Sequence, residues 1–208
     1  MARMRTEGKR EELLAAATAV FLEQGFERTL MSDICEKAKC SKSTLYGYFA
    51  SKEDIFYEVV IGGTAQEGAE LFMNLDGLGD CFEERLYEFG RRYLLNLYSP
   101  RFMALRRLIF ADTSNLSIGR TIYENGIQRY EHFVVEFLAK AMDSGSLRPA
   151  DPSIAVSHLC GLLESELLPR FLLRALDNIS RTDLEMVAQR AVESFLAAYR
   201  PSIHCSLS

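Results

Sequence analysis

Apolar residues recur at threes and fours along most of the chain, and strand-like alternation of Val, Ile and Thr is absent. Leu13, Ala17, Val20 and Phe21 form one stripe within Thr6 to Gln24, predicting a first helix that Gly25 stops. A short second helix is predicted from Thr29, with Thr29 as its N-cap, Asp33 in its first turns, and Leu30, Ile34 and Ala38 facing inward. A third follows over Lys42 to Phe49. A fourth opens near Ser51 or Lys52 and turns Ile55, Phe56 and Val59 inward.

Beyond residue 50 the pattern lengthens. Phe82, Leu86, Phe89, Tyr93 and Leu97 mark a helix between Asp80 and Tyr98, and Arg101 to Ala111 forms another. Ser117 to Ser144 carries Ile122, Ile127, Tyr130, Phe133, Val134, Phe137 and Leu138 as its apolar positions. Asp151-Pro152 reads as an N-cap followed by a proline at the first helical position. One long segment then runs to Leu176 with a kink at Pro169, before a last helix from Thr182 to Arg200. The prediction is an all-α fold of about nine helices, without internal repeats.

Composition narrows the class. At 208 residues with 48% hydrophobic and 25% charged side chains, the chain suits a small domain joined to a larger one. The division expected is 1–50 and 51–208. No apolar run approaches the ~18 residues that span a bilayer. Leu13 to Leu22 follows a basic start, but Glu11 and Glu12 stand before it and no cleavage site follows, so a secretory leader is not expected. Five cysteines without C-x-x-C spacing fit reduced thiols in a cytoplasm. The histidines are scattered, so neither a metal site nor a cofactor is expected. G-x-S-x-G, H-E-x-x-H and a complete Gly-rich phosphate loop are missing, which argues against an enzyme.

Charge changes the picture at one end. The formal net charge is −5, yet residues 1–10 carry +3 and residues 37–52 carry four lysines and no acid. Residues 53–208 hold −7. Two short helices joined by a tight turn match a helix-turn-helix, and an eight-residue helix, ~12 Å long, suits the ~12 Å major groove. Lys42 and Lys52 bracket the third helix and can pair with phosphates. Ser41, Ser43, Thr44, Tyr46 and Tyr48 offer short or planar hydrogen-bonding groups, while Leu45 and Phe49 anchor the helix inward. Local charge, not pI, meets the phosphates.

From Arg10 to Phe56 the chain resembles the N-terminal domain of the TetR family of transcriptional regulators. The resemblance rests on LLAAATAVFLEQGFERTLMSDICEKA and CSKSTLYGYFASKEDIF, with Tyr46-x-Tyr48-Phe49-x-x-Lys52 as its core. The C-terminal half broadly resembles the AefR-type subgroup. The likeness implies a homodimeric regulator, usually a repressor, released from a palindromic double-stranded operator by a small-molecule effector. Carried over by position, Thr29, Ser41, Lys42, Thr44, Tyr46, Tyr48 and Lys52 would contact DNA, with Ser43 also facing the duplex. Lys39 stands where the family usually has the glycine of the turn. If the backbone there is left-handed, lysine costs ~1–2 kcal/mol.

In the larger domain, candidate effector-contacting residues are Tyr93, Phe110, Tyr123, Tyr130, His158 and Glu164. Aromatic positions on the central helices would make apolar walls, and polar groups that interrupt apolar runs would anchor the ligand. Leu159, Leu162, Leu163 and Leu167, with Val187, Ala191, Phe195 and Leu196, suit either a dimer seam or the monomer's own core. Two alternatives stay open at this level: a thiol-switched regulator using Cys35 or Cys40, and an activator on the same fold.

Overall fold

The computed structural model describes residues 6–60, 81–111, 119–120, 123–124, 128–176 and 178–201, and among these the chain forms ten helices and no strand. They are α1 (Glu7–Gln24), α2 (Met31–Lys37), α3 (Lys42–Tyr48), α4 (52–60), α5 (Phe82–Leu97), α6 (Pro100–Ala111), α7 (Gln128–Asp143), α8 (Pro152–Glu164), α9 (Leu168–Leu172) and α10 (Arg181–Tyr199). The expected start of the helix before Ser144, with Ile122 and Ile127, lies outside the described residues. Among those described, no helix is long and apolar enough to cross a membrane.

Two compact units form. The first takes in residues to Gln66 together with Pro100–Ile127, so α6 joins the three N-terminal helices and α4. Its core is Leu13, Ala17, Val20, Phe21, Ile34, Leu45, Phe49, Ile55, Phe56 and neighbours, with Leu105 of α6 among them. Phe21 and Phe56 meet edge to face at 5.2 Å, and Phe26 closes the triangle. Each such buried ring contributes roughly 1.5–3 kcal/mol. Gly25 ends α1 at φ +80, donating its N–H to Phe21 O.

The N-cap of the second helix lies one residue later than the pattern suggests. Leu30 occupies the N-cap position and is 61% exposed, not inward. Its N–H is accepted by the Asp33 carboxylate at 2.9 Å, half of a capping box. Thr29 is therefore not the cap. Its side chain is fully buried and its hydroxyl donates to Gly25 O at 2.7 Å.

The second unit comprises Glu67–Ser99 and Gln128–Ser208. α5 packs on α10 and α8, and α7 on α8. Gly90 permits that approach, because a Cβ there would lie 3.0 Å from Leu163 Cδ2 and 3.2 Å from Val192 Cγ2. Asp151 caps α8, accepting from the N–H groups of Ser153 and Ile154. The expected single helix to Leu176 is instead two. α8 ends at Glu164, and Pro169 stands in the first turn of α9, where its missing N–H costs nothing. Ser180 caps α10 by accepting from Asp183 N–H.

Leu159, Leu163, Leu167, Val187, Ala191, Phe195 and Leu196 are all buried within the unit. The apolar stripes of α8 and α10 thus face their own core. Ala188, fully buried, lies against the Gly90 site.

Candidate nucleic-acid interface

The α2–α3 connection is built by backbone geometry. Ala38 ends α2 in helical conformation and Lys39 follows at φ +49, so the turn does use a left-handed residue. Lys39 N–H donates to Glu36 O at 3.1 Å, and Cys40 N–H to Cys35 O at 2.9 Å. These are the two bonds of a Schellman motif, which satisfies the last carbonyls of α2. Ser41 then caps α3, its hydroxyl oxygen accepting from Thr44 N–H at 3.1 Å. Ser43 Oγ and Thr44 Oγ1 each lie 2.8 Å from Ser41 Oγ, so three hydroxyls share one cluster at the helix start.

Leu45 and Phe49 are buried at 0% and 2% exposure, fixing the rotation of α3. Ser41, Lys42 and Ser43 are then exposed, Thr44 is half-buried, and Tyr46 stands out at 52%. Lys39 is exposed on the turn beside them. This face presents cations, hydroxyls and one phenol, with no carboxylate on α3 itself.

The other expected contacts are differently engaged. Tyr48 is half-buried and its hydroxyl accepts the N–H of Thr6 at 3.1 Å, tying the start of α1 to α3. Lys52 donates to Phe26 O at 2.8 Å and Glu27 O at 3.3 Å, with its ammonium 4.2 Å from the Phe26 ring centroid. Its charge caps the α1–α2 turn and is not held out beside α3. Thr29 is enclosed, as described above. Lys37 pairs with Glu23 at 2.7 Å. Arg10 pairs with Glu58 and lies over the Phe49 ring at 5.5 Å, bracing α1, α3 and α4. Lys39, which stands where the family usually has the glycine of the turn, adds an exposed cation to the face; its place among the four lysines of 37–52 was the available signal.

The effector candidates divide between the units. Tyr93 and Glu164 come together around Cys160 in the second. Burial pushes the Cys160 thiol up to about 12, helped by the Glu131 and Glu164 carboxylates and opposed by a hydrogen bond from Tyr93. Glu164 accepts from Tyr98 Oη at 2.8 Å, and Tyr98 meets Phe171 edge to face. His158 is exposed, with Nδ1 2.6 Å from Tyr199 Oη. Phe110 and Tyr123 belong to the first unit and are 51% and 47% exposed. The Tyr130 side chain lies outside the described residues. A cleft of about 210 Å³ in the second unit, lined by Glu166, Leu167, Arg170, Met186 and Arg190 among others, includes none of the six.

Residues 13–59 match the model for bacterial regulatory proteins of the tetR family, and residues 84–201 match the AefR-like transcriptional repressor C-terminal domain. The chain belongs to the TetR family. A solved structure assigned to that family, from Mesorhizobium loti, is 32% identical and superposes with a TM-score of 0.84, covering 96% of this chain and 100% of that one. The flavonoid-responsive regulator FrrA is 28% identical with a TM-score of 0.75, covering 95% of this chain and all of FrrA. The HTH-type transcriptional regulator HbdR of Aromatoleum is 25% identical over 146 residues; the match spans 70% of this chain and 62% of HbdR. This TetR-family chain is a DNA-binding transcriptional regulator.

Proposed function

We propose that the protein is a repressor that binds an inverted-repeat operator as a homodimer and is released by a small apolar or aromatic effector. The observation carrying the DNA-reading part is α3 itself: Leu45 and Phe49 buried, Lys42, Ser43 and Tyr46 turned outward, and no acid on the helix. Lys42 and Lys39 position the helix on phosphates, which fixes register without reading sequence. Ser43, Thr44 and Tyr46 face the base edges. The AefR-like match to a repressor domain supports the sign of regulation. A regulator of this kind acts where the chromosome lies, in the cytoplasm, and performs no catalysis.

The dimer is assigned to the outward faces of α8 and α10, since their apolar stripes are already used. Ile154, Gly161, Met186 and Ala197 are exposed there at helical spacing. Small residues at Gly161 and Ala197 allow close approach. The effector is assigned to the second unit around Tyr93, Tyr98, Glu164 and Phe171, where aromatic walls meet the Glu164 carboxylate. FrrA's response to flavonoids is in keeping with an aromatic ligand of this kind. Effector and operator then oppose each other by linkage, each weakening the other's binding by the same factor. A tenfold effect needs ~1.4 kcal/mol of differential affinity.

Salt dependence of duplex binding tests the docking of α3. Lys42→Ala is expected to weaken binding to all sequences alike and to flatten the slope of log K against log salt by about one unit per lost contact per subunit. An unchanged slope and affinity would remove Lys42, and with it this docking.

A further inference from the structure

The Schellman motif that joins α2 to α3 does more than end a helix. Its geometry brings the side chain three residues before the cap against the one two residues after it, a contact usually filled by two apolar groups. Here both positions are cysteine. Cys40 N–H donates to Cys35 O at 2.9 Å, and the Cys35 thiol donates to the Cys40 sulfur. Cys35 is buried in the core of the first unit, whereas Cys40 is half-buried at the turn. Two thiols are therefore held in contact, one reachable from solvent, immediately before the Ser41 cap of α3.

We propose that Cys35 and Cys40 form a reversible disulfide on reaction with a hydroperoxide, and that the closed form no longer binds the operator; the second half rests on the DNA-reading assignment above. Cys40 Sγ attacks the terminal oxygen of the peroxide. The O–O bond breaks, the thiol proton leaves with the departing alcohol or water, and Cys40 becomes a sulfenic acid. Cys35 Sγ then attacks Cys40 Sγ, the S–S bond forms, and the S–O bond breaks with loss of water. Two thiols give up two electrons and the peroxide takes them, and a dithiol reductant reverses the change. The roles follow from position: burial, followed by the neighbouring Cys40, raises the Cys35 thiol, so it serves as the resolving partner. Closing a ~2.05 Å bond with a dihedral near ±90° draws the two sulfurs together across the turn. Cys40 adjoins Ser41, so the start of α3 shifts with it, and Lys42 and Ser43 leave their register.

Trypsin gives a direct readout, because Lys37 and Lys39 lie between the cysteines. The full-length reduced protein is treated with hydrogen peroxide at neutral pH, alkylated and digested. The expected product is peptide 29–37 linked to peptide 40–42, two hydrogens lighter than the separate thiols and split by dithiothreitol. In parallel, affinity is measured for the duplex recovered from a random pool by reduced protein. A fall of tenfold or more on oxidation is expected, restored by dithiothreitol and absent in Cys40→Ser and Cys35→Ala. Peroxide that oxidises Cys81 while 35 and 40 stay unlinked, or carries them singly to sulfinic acid, overturns the proposal. A linked pair with unchanged duplex affinity overturns its regulatory half. Failure to recover any duplex would instead strike at the DNA-binding assignment, with the linked peptide still deciding the thiol chemistry.

Discussion

Lys52 illustrates what a residue's surroundings add to its sequence context. A lysine closing a basic, hydroxyl-rich stretch reads as a phosphate contact, yet its ammonium is spent on Phe26 O, Glu27 O and the Phe26 ring. Tyr48 and Thr29 share this character, their hydroxyls bonded to Thr6 N–H and Gly25 O. Periodicity shows which face a side chain takes, and it correctly turned Leu45, Phe49 and the α1 stripe inward. It cannot show which backbone group from a distant turn will meet a polar tip. Lys52→Ala is therefore expected to lower the unfolding free energy by about 1 kcal/mol, since it removes the ammonium bond to Phe26 O and leaves that carbonyl only its bond from Thr29 N–H. The salt slope of DNA binding should stay near that of the parent, in contrast to Lys42→Ala. Chemical denaturation and binding titrations on the same preparations separate the two roles, and a flattened slope with full stability would return Lys52 to the phosphates.

At the scale of elements, short polar signals set helix ends more faithfully than apolar runs set helix lengths. Asp151-Pro152 opens α8 as its sequence suggests, while the run to Leu176 breaks before Pro169, which has no N–H to donate to the carbonyl four residues back and whose ring crowds it. Long-range ion pairing was not legible at all. Glu88 accepts from Arg91 and Arg92 on α5, and Arg91 reaches Glu185 on α10. The hydrogen bond from Arg91, more than the burial that opposes it, holds the Glu88 carboxyl down at about 2 against an ordinary 4.5. A depressed carboxylate stabilises the fold above its ordinary pKa, and that contribution is lost as pH falls from about 4.5 through 2. Glu88→Gln is thus expected to cost about 1–2 kcal/mol near neutral pH, allowing for partial solvent screening. The gap to the parent should close below pH 4 in thermal melts. A difference that is constant with pH would mean the pairing contributes nothing specific.

For the whole molecule, the sequence left one apolar surface with two possible owners. Leu159, Leu163, Val187 and Phe195 suit either a partner subunit or the chain's own core, because a helix stripe carries no label for what covers it. The fold gives them to the core, with Gly90 and Ala188 making room, so the proposed dimer is built on the outward residues of α8 and α10 instead. Two copies of α3 must then reach successive major grooves ~34–36 Å apart. Selection of bound duplexes from a random pool tests that claim most directly. The expected result is an inverted repeat whose half-sites are centred about one helical turn, or a whole number of turns, apart, and loss of preference at one symmetric base position when Tyr46 is changed to alanine. Recovery of unrelated sequences, or of a repeat whose preferences Tyr46→Ala leaves intact, would contradict α3 as the reading element.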